Sequence, residues 1–208
     1  MKHASRLLTL LGVLLLAAAL GLTIFNLRQD AAAGEAAETA LETLLPELEA
    51  AQTIPAGEAE TAAPAPQADY VLHPEMEMPV QTVDGREYLG VLQIPALSLE
   101  LPVLSEWSYD NLAVAPCRYS GSAYQKNLVI AGHNYSSFFA DLKQLTAGDA
   151  VTFTDVDGNV FSYQVADLEV LAPDAVPAMT ESGWALTLFT CTVGGQSRIA
   201  VRCEEMKP

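Results

Sequence analysis

Cysteine, histidine and arginine can together attack and resolve a carbonyl, and one residue of each type sits at the end of an apolar run: Cys191, His133 and Arg198. Cys191 closes the run Leu186-Thr187-Leu188-Phe189-Thr190, and the turn-forming stretch 192–197 leads from it to Arg198. The two would flank one hairpin. A thiol becomes a strong nucleophile when a neighbouring cation or base favours its thiolate, and arginine keeps its charge at any working pH. Its planar donors can also hold the oxyanion that forms on a carbonyl under attack. His133 follows Ile130-Ala131-Gly132, where an apolar strand gives way to a loop. His3 and His73 lie far away in the sequence, so His133 is the imidazole available to move protons. Taken alone, each residue has an ordinary explanation: a loop histidine, an inert buried cysteine, a surface arginine.

The segments around these residues read as an all-β domain. From about Arg86 onward, short runs rich in Val, Ile, Leu, Tyr and Phe alternate with Gly, Asp, Asn and Pro, predicting strands at 89–94, 99–103, 128–131, 150–154, 160–170, 186–191 and 198–203. Asp155-Val156-Asp157-Gly158-Asn159 predicts a hairpin turn. Helical spacing over 136–145 predicts one short helix, with Ser136 or Ser137 as its N-cap.

What precedes the domain is different in kind. Residues 7–27 carry no charge, and as a helix they span about 30 Å, the thickness of a bilayer's hydrocarbon core. Lys2 and Arg6 lie before this run and acids follow it, which predicts a cytoplasmic N-terminus and an outward-facing remainder. A cleaved signal ending near Ala31-Ala32-Ala33 is the competing reading, but the run is longer than such signals usually are. Residues 29–80 contain no Lys or Arg, and Pro55, Pro64 and Pro66 stand among Ala, Glu and Gln, so the stretch reads as an acidic tether. Within it, Leu41, Leu44, Leu45 and Leu48 suggest a short amphipathic helix that Pro46 begins or disturbs. The expected organisation is therefore an anchor at 1–28, a tether at 29–80 and a catalytic domain at 81–208.

The formal charge of −16 argues against nucleic acid as a partner. Three cysteines, Cys117, Cys191 and Cys203, are too few for a disulfide framework, and a Cys117–Cys203 bridge stays open. Asp110, Asp141 and Glu169 would form a calcium site only if folding gathers them.

In order along the chain, the matching stretches are Gly90-Val91-Leu92-Gln93-Ile94-Pro95 with Leu101-Pro102-Val103, then Asn127-Leu128-Val129-Ile130-Ala131-Gly132-His133-Asn134, then Phe139 to Leu142, Leu145 and Gly148-Asp149, and finally Thr187-Leu188-Phe189-Thr190-Cys191 with Arg198 seven residues on. Over residues 86–205 the chain resembles a sortase. The resemblance implies a sortase-like eight-stranded β-barrel with one or two short helices behind an N-terminal transmembrane helix; no cofactor or metal ligand is assigned from the sequence, and metal activation stays open. It further implies a cysteine transpeptidase, or hydrolase, at the surface of a Gram-positive cell, acting on secreted proteins with an LPxTG-like sorting signal. Cys191 would form a thioacyl enzyme, resolved by an amine on a lipid-linked peptidoglycan precursor or a pilin lysine. His133 would move the protons, Arg198 would steady the oxyanion, and Thr190 would support substrate placement. The chain stops at Pro208 soon after its last predicted strand, whereas many pilus-building members are expected to carry a second membrane segment. A papain-type peptidase is the rival enzyme, but it usually places its cysteine before its histidine and at a helix start. A non-enzymatic barrel with an inert Cys191, binding peptide or wall polymer, is the other alternative.

Overall fold

The computed structural model describes residues 2–52 and 68–206. Helix α1 (Lys2–Gln52) and a short α2 (Asp69–Leu72) precede strands β1 (Gln81–Val83), β2 (Arg86–Ile94) and β3 (Leu99–Leu104). Helix α3 (Tyr109–Leu112), strands β4 (Cys117–Ser120), β5 (Leu128–Ala131), β6 (Ala150–Asp155) and β7 (Val160–Leu171), helix α4 (Val176–Thr180), and strands β8 (Leu186–Cys191) and β9 (Arg198–Glu205) follow. Hydrogen bonding runs β2-β3-β4-β5-β8-β9-β7-β6 and returns to β2, so eight strands close into a barrel, and β1 adds a hairpin strand outside the ring.

Closure depends on β2 serving two partners at once. Residues 90–93 pair with β3 on one edge and with β6 on the other. At Gly90 the sheets approach so closely that a Cβ would sit 1.9 Å from the Thr154 carbonyl oxygen, which only glycine permits. Apolar side chains alternate inward along the strands, with Leu92, Ile130, Phe153, Leu188 and Val201 fully buried in the barrel interior. The β6–β7 turn forms as its Asp-Gly composition predicts: the buried Asp155 carboxylate accepts from the Asp157 and Asn159 amides and from the Tyr124 hydroxyl.

Three expectations are corrected. The predicted helix over 136–145 is a series of turns ending in one 3-10 turn at Leu142–Gln144. Phe138, Phe139 and Leu142 are drawn into the interior, and the amides of Ser136 and Ser137 bond to Asp30 instead of starting a helix. Pro46 does not begin a helix, since α1 runs through it. Residues 29–52, read as the start of a tether, continue α1 and cover the barrel: Ala33, Ala37, Ala40, Leu44 and Leu48 form one buried stripe at helical spacing. The last three meet Val91, Leu104 and Cys117 on the barrel's outer face. Tyr70 of α2 stacks on Tyr124, and Met78 is buried in the core, so the chain also rests on the barrel just before β1. The proline-rich stretch 53–67 lies outside the described residues.

Candidate active site

Strand order brings the three chemical residues together. β5 and β8 run parallel as neighbours with Ala131 opposite Phe189, and the Gly132 amide extends the ladder by donating to the Phe189 carbonyl at 3.0 Å. His133 is therefore two residues beyond Ala131 at the level where Cys191 is two residues beyond Phe189, on strands about 4.8 Å apart. β9 returns antiparallel, with Arg198 directly opposite Cys191. Histidine, cysteine and arginine thus meet at one end of the barrel, around a cavity of about 280 Å³ that Thr190 also lines.

Each side chain is held by its local sequence. Gly132 precedes His133 because the Phe139 ring lies against its α-carbon; a Cβ there would approach the ring to 2.4 Å. The His133 ring lies 4.7 Å from that of Tyr135, and burial holds its imidazole below the ordinary histidine value, favouring the neutral form. Arg198 donates through Nη1 to the carbonyls of Gly195 and Ser197, at 3.0 and 3.1 Å, which fixes the guanidinium to the turn beside Cys191. That turn is closed by Thr192, whose Oγ1 accepts from the Ser197 amide. Thr190 is 2% exposed, and its hydroxyl has no hydrogen-bond partner among the described residues.

The three cysteines are free thiols in different settings. Cys191 is half-buried at the cavity, whereas Cys117 and Cys203 are fully buried and burial pushes both thiols up to about 12. Cys117 belongs to the outer-face cluster under α1 and Cys203 to the barrel interior, so the barrel wall stands between the pair left open as a disulfide. Asp110, Asp141 and Glu169 do not come together; among the described residues no group of three or more His, Cys, Asp or Glu is placed to hold a metal ion.

Other residues complete the site. Trp107, Tyr119 and Phe189 form an edge-to-face series along one wall of the cavity, with ring centroids 5.9 and 5.2 Å apart. Phe189 was findable by alternation, since it shares a strand face with Cys191. Arg202, four residues beyond Arg198 on β9, is 1% exposed and donates to Glu169 Oε2 at 2.6 Å, Thr187 Oγ1 at 3.0 Å and the Ala178 carbonyl at 2.7 Å. It ties α4, whose Val176 and Met179 line the cavity, to the strands beneath. No spacing in the sequence announces that network, because its members come from four separate segments.

Residues 92–206, more than half of the chain, match the family model of the sortase domain, and the chain belongs to the sortase family. It is 31% identical to sortase A of Bacillus anthracis over 116 residues, which is 53% of this chain and 55% of that protein; the chain thus matches about half the length of that relative. Its fold resembles that of a Clostridium perfringens sortase D5 transpeptidase, with a TM-score of 0.58 at 16% identity over 83% of this chain and 99% of that one. It also resembles a Clostridium perfringens sortase C solved with the C-terminal cell wall sorting motif, with a TM-score of 0.57 at 19% identity over 81% and 100% of the two chains. At those identities the likeness is one of fold.

Proposed function

We propose that this protein is a cysteine transpeptidase that cleaves an LPxTG-like sorting signal and transfers the protein bearing it to an amine. The observation that carries the reading is the convergence of Cys191, Arg198 and His133 at one barrel end around one cavity. A neutral His133 takes the thiol proton as the Cys191 sulfur attacks the scissile carbonyl, and Arg198 steadies the resulting oxyanion. The C–N bond then breaks, His133 returns the proton to the departing amine, and a thioester remains on Cys191. An incoming amine attacks that thioester, loses its proton to His133, and leaves a new amide with Cys191 restored. Thr190 supports substrate placement, and the apolar lining of the cavity favours the uncharged side chains of a sorting signal.

Residues 7–27 of α1 leave Leu8, Leu14, Leu16 and Leu20 exposed, and the helix is long and apolar enough to cross a membrane. We assign it as an uncleaved anchor, N-terminus inside, which presents the catalytic domain (81–208) on the outer face of the cell membrane. The acceptor is then the amine of a lipid-linked wall precursor or of a pilin lysine. The test is to incubate the full chain in detergent with a panel of sorting-motif peptides, with and without an amine acceptor, and to search for an acylated Cys191 by mass spectrometry. Cleavage with a thioester on the Cys191 peptide is the expected result. A chain that acylates on no cysteine with any peptide is not a sorting enzyme of this kind.

A further inference from the structure

We infer that Asp30, where α1 leaves its apolar run, is a positioning residue for the loop that carries His133, so that the helix and the catalytic loop act as one unit. The carboxylate receives four donors from that loop. Oδ2 accepts from the Ser136 amide at 2.9 Å and the Ser136 hydroxyl at 2.6 Å, and Oδ1 accepts from the Ser137 amide at 3.2 Å and the Ser137 hydroxyl at 2.7 Å. The Ser137 hydroxyl also lies 3.3 Å from the Asp30 carbonyl oxygen. Burial pushes the carboxyl upward, but these bonds outweigh it and hold Asp30 below the ordinary carboxylate value, ionised at neutral pH.

A second contact, one turn further along α1, independently brings the same pair of segments together. A Cβ on Gly34 would lie 3.2 Å from the Ser137 Cβ, so the helix backbone rests against the loop where it bonds. The loop is short and already fixed at its far end: the Phe139 amide donates to the His133 carbonyl at 3.1 Å, and Phe138 and Phe139 are buried in the barrel. Between those anchors, Tyr135 lies against His133, and the Phe138 amide donates to the Tyr135 carbonyl at 3.0 Å. Asp30 therefore grips the middle of the arc, at the two residues that join Tyr135, which lies against His133, to the buried Phe138. Asp30 lies one helical turn, about 5 Å along the axis, beyond residue 27, the last of the apolar run. A displaced Asp30 would let the imidazole drift from Cys191, and a displacement of about 1 Å at a proton-transfer group can cost on the order of 100-fold in rate.

The inference rests on the proposed transpeptidase reading for its kinetic part and on geometry alone for its structural part, so the experiment reads both. In the full chain in detergent, Asp30→Ala, Ser136→Ala with Ser137→Ala, and all three together are compared with the native sequence. Amide hydrogen exchange followed by mass spectrometry should rise at least about 10-fold in residues 134–138 for each variant, with the barrel strands unchanged. Turnover should fall about 10- to 100-fold in kcat at unchanged KM, and the triple variant should lose no more than Asp30→Ala, because one contact is being removed twice. Native-like exchange in Asp30→Ala overturns the tie; raised exchange with native kcat overturns the positioning of His133. Should Asp30→Ala fail to fold, the serine pair decides by the same two readouts. A native chain that turns over no sorting peptide defeats the proposed function instead, and hydrogen exchange alone then decides whether Asp30 holds the loop.

Discussion

Cys191 and Arg198 are a registered cross-strand pair, the last residue of β8 facing the first of β9 across the turn that joins them. Directly opposed residues hold their Cβ atoms about 5 Å apart, so the two side chains leave adjacent strands as neighbours, and both line the same cavity.

Lysine at position 198 should not substitute. Arg198 is braced by two carbonyls of the turn through one nitrogen, so its other guanidinium nitrogens need not serve as the brace. Lysine keeps the charge but has no second nitrogen to brace while the first points at an oxyanion. Losing an aimed donor of this kind costs on the order of 100- to 1000-fold in turnover, and Arg198→Lys is expected in or beyond that range with an unchanged melting temperature. Turnover of a sorting peptide beside a thermal melt measures both. Native turnover would remove Arg198 from the site, and a collapsed melt would make it structural.

The three cysteines should separate by reactivity. Cys117 and Cys203 are fully buried, and with thiols near 12 they hold almost no thiolate at neutral pH, whereas Cys191 opens on the cavity. Alkylation of the native protein should label Cys191 alone, and Cys191→Ala should abolish both cleavage and transfer. Cys117→Ala and Cys203→Ala should keep the chemistry and lose about 1 to 2 kcal/mol of stability by emptying a small part of a packed cluster. Acylation of either buried cysteine by a sorting peptide would contradict the assignment.

Much of this was legible in the residues, and the exceptions share a cause. Seven strands announce themselves through alternation or apolar runs. β4, Cys117-Arg118-Tyr119-Ser120 between Pro116 and Gly121, is too short and mixed to show a period, though the barrel cannot close without it. The meeting of His133 with Cys191 was implied only by family resemblance, since β5 and β8 are paired across more than fifty intervening residues. The serine-rich start of 136–145 has the composition of a helix N-terminus, but the acceptor for its amides comes from Asp30, 106 positions upstream. Short-range patterns cannot reveal a cap supplied from elsewhere in the fold. In the acidic stretch after residue 28 the leucines at 41, 44, 45 and 48 announced a helix, and Leu44 and Leu48 are buried in it, but its extension back to the apolar run was hidden: alanines small enough to lie flat on a barrel look, by composition, like a linker.

Thr190→Val probes a buried hydroxyl with no partner among the described residues. Burying such a group costs about 1 to 3 kcal/mol, and valine has the same shape without it. The variant should therefore melt no lower than the native protein, and by this reasoning somewhat higher. If Thr190 serves substrate placement, turnover should still fall, by roughly 10-fold for one hydrogen bond of about 1.4 kcal/mol. A lower melting temperature would mean the hydroxyl is satisfied in solution; a higher one with native turnover would make Thr190 a packing residue.

His133 carries a prediction about acid. Burial disfavours its imidazolium, so its pKa in the folded protein lies below the ordinary histidine value of about 6.5 that the unfolded chain retains. Between the two values the unfolded chain binds a proton that the folded protein declines, and in that interval stability rises with pH. The contribution of His133 is thus fully present above about pH 6.5 and is lost as the pH falls through the folded value. Thermal melts of the native protein and of His133→Gln across this range separate it from the carboxylates, which titrate alike in both. The native protein should lose more stability on acidification than the variant, and the difference should vanish above neutrality. Parallel curves would show an imidazole that burial does not shift, and the preference for a neutral His133 would then be no greater than that of an ordinary histidine.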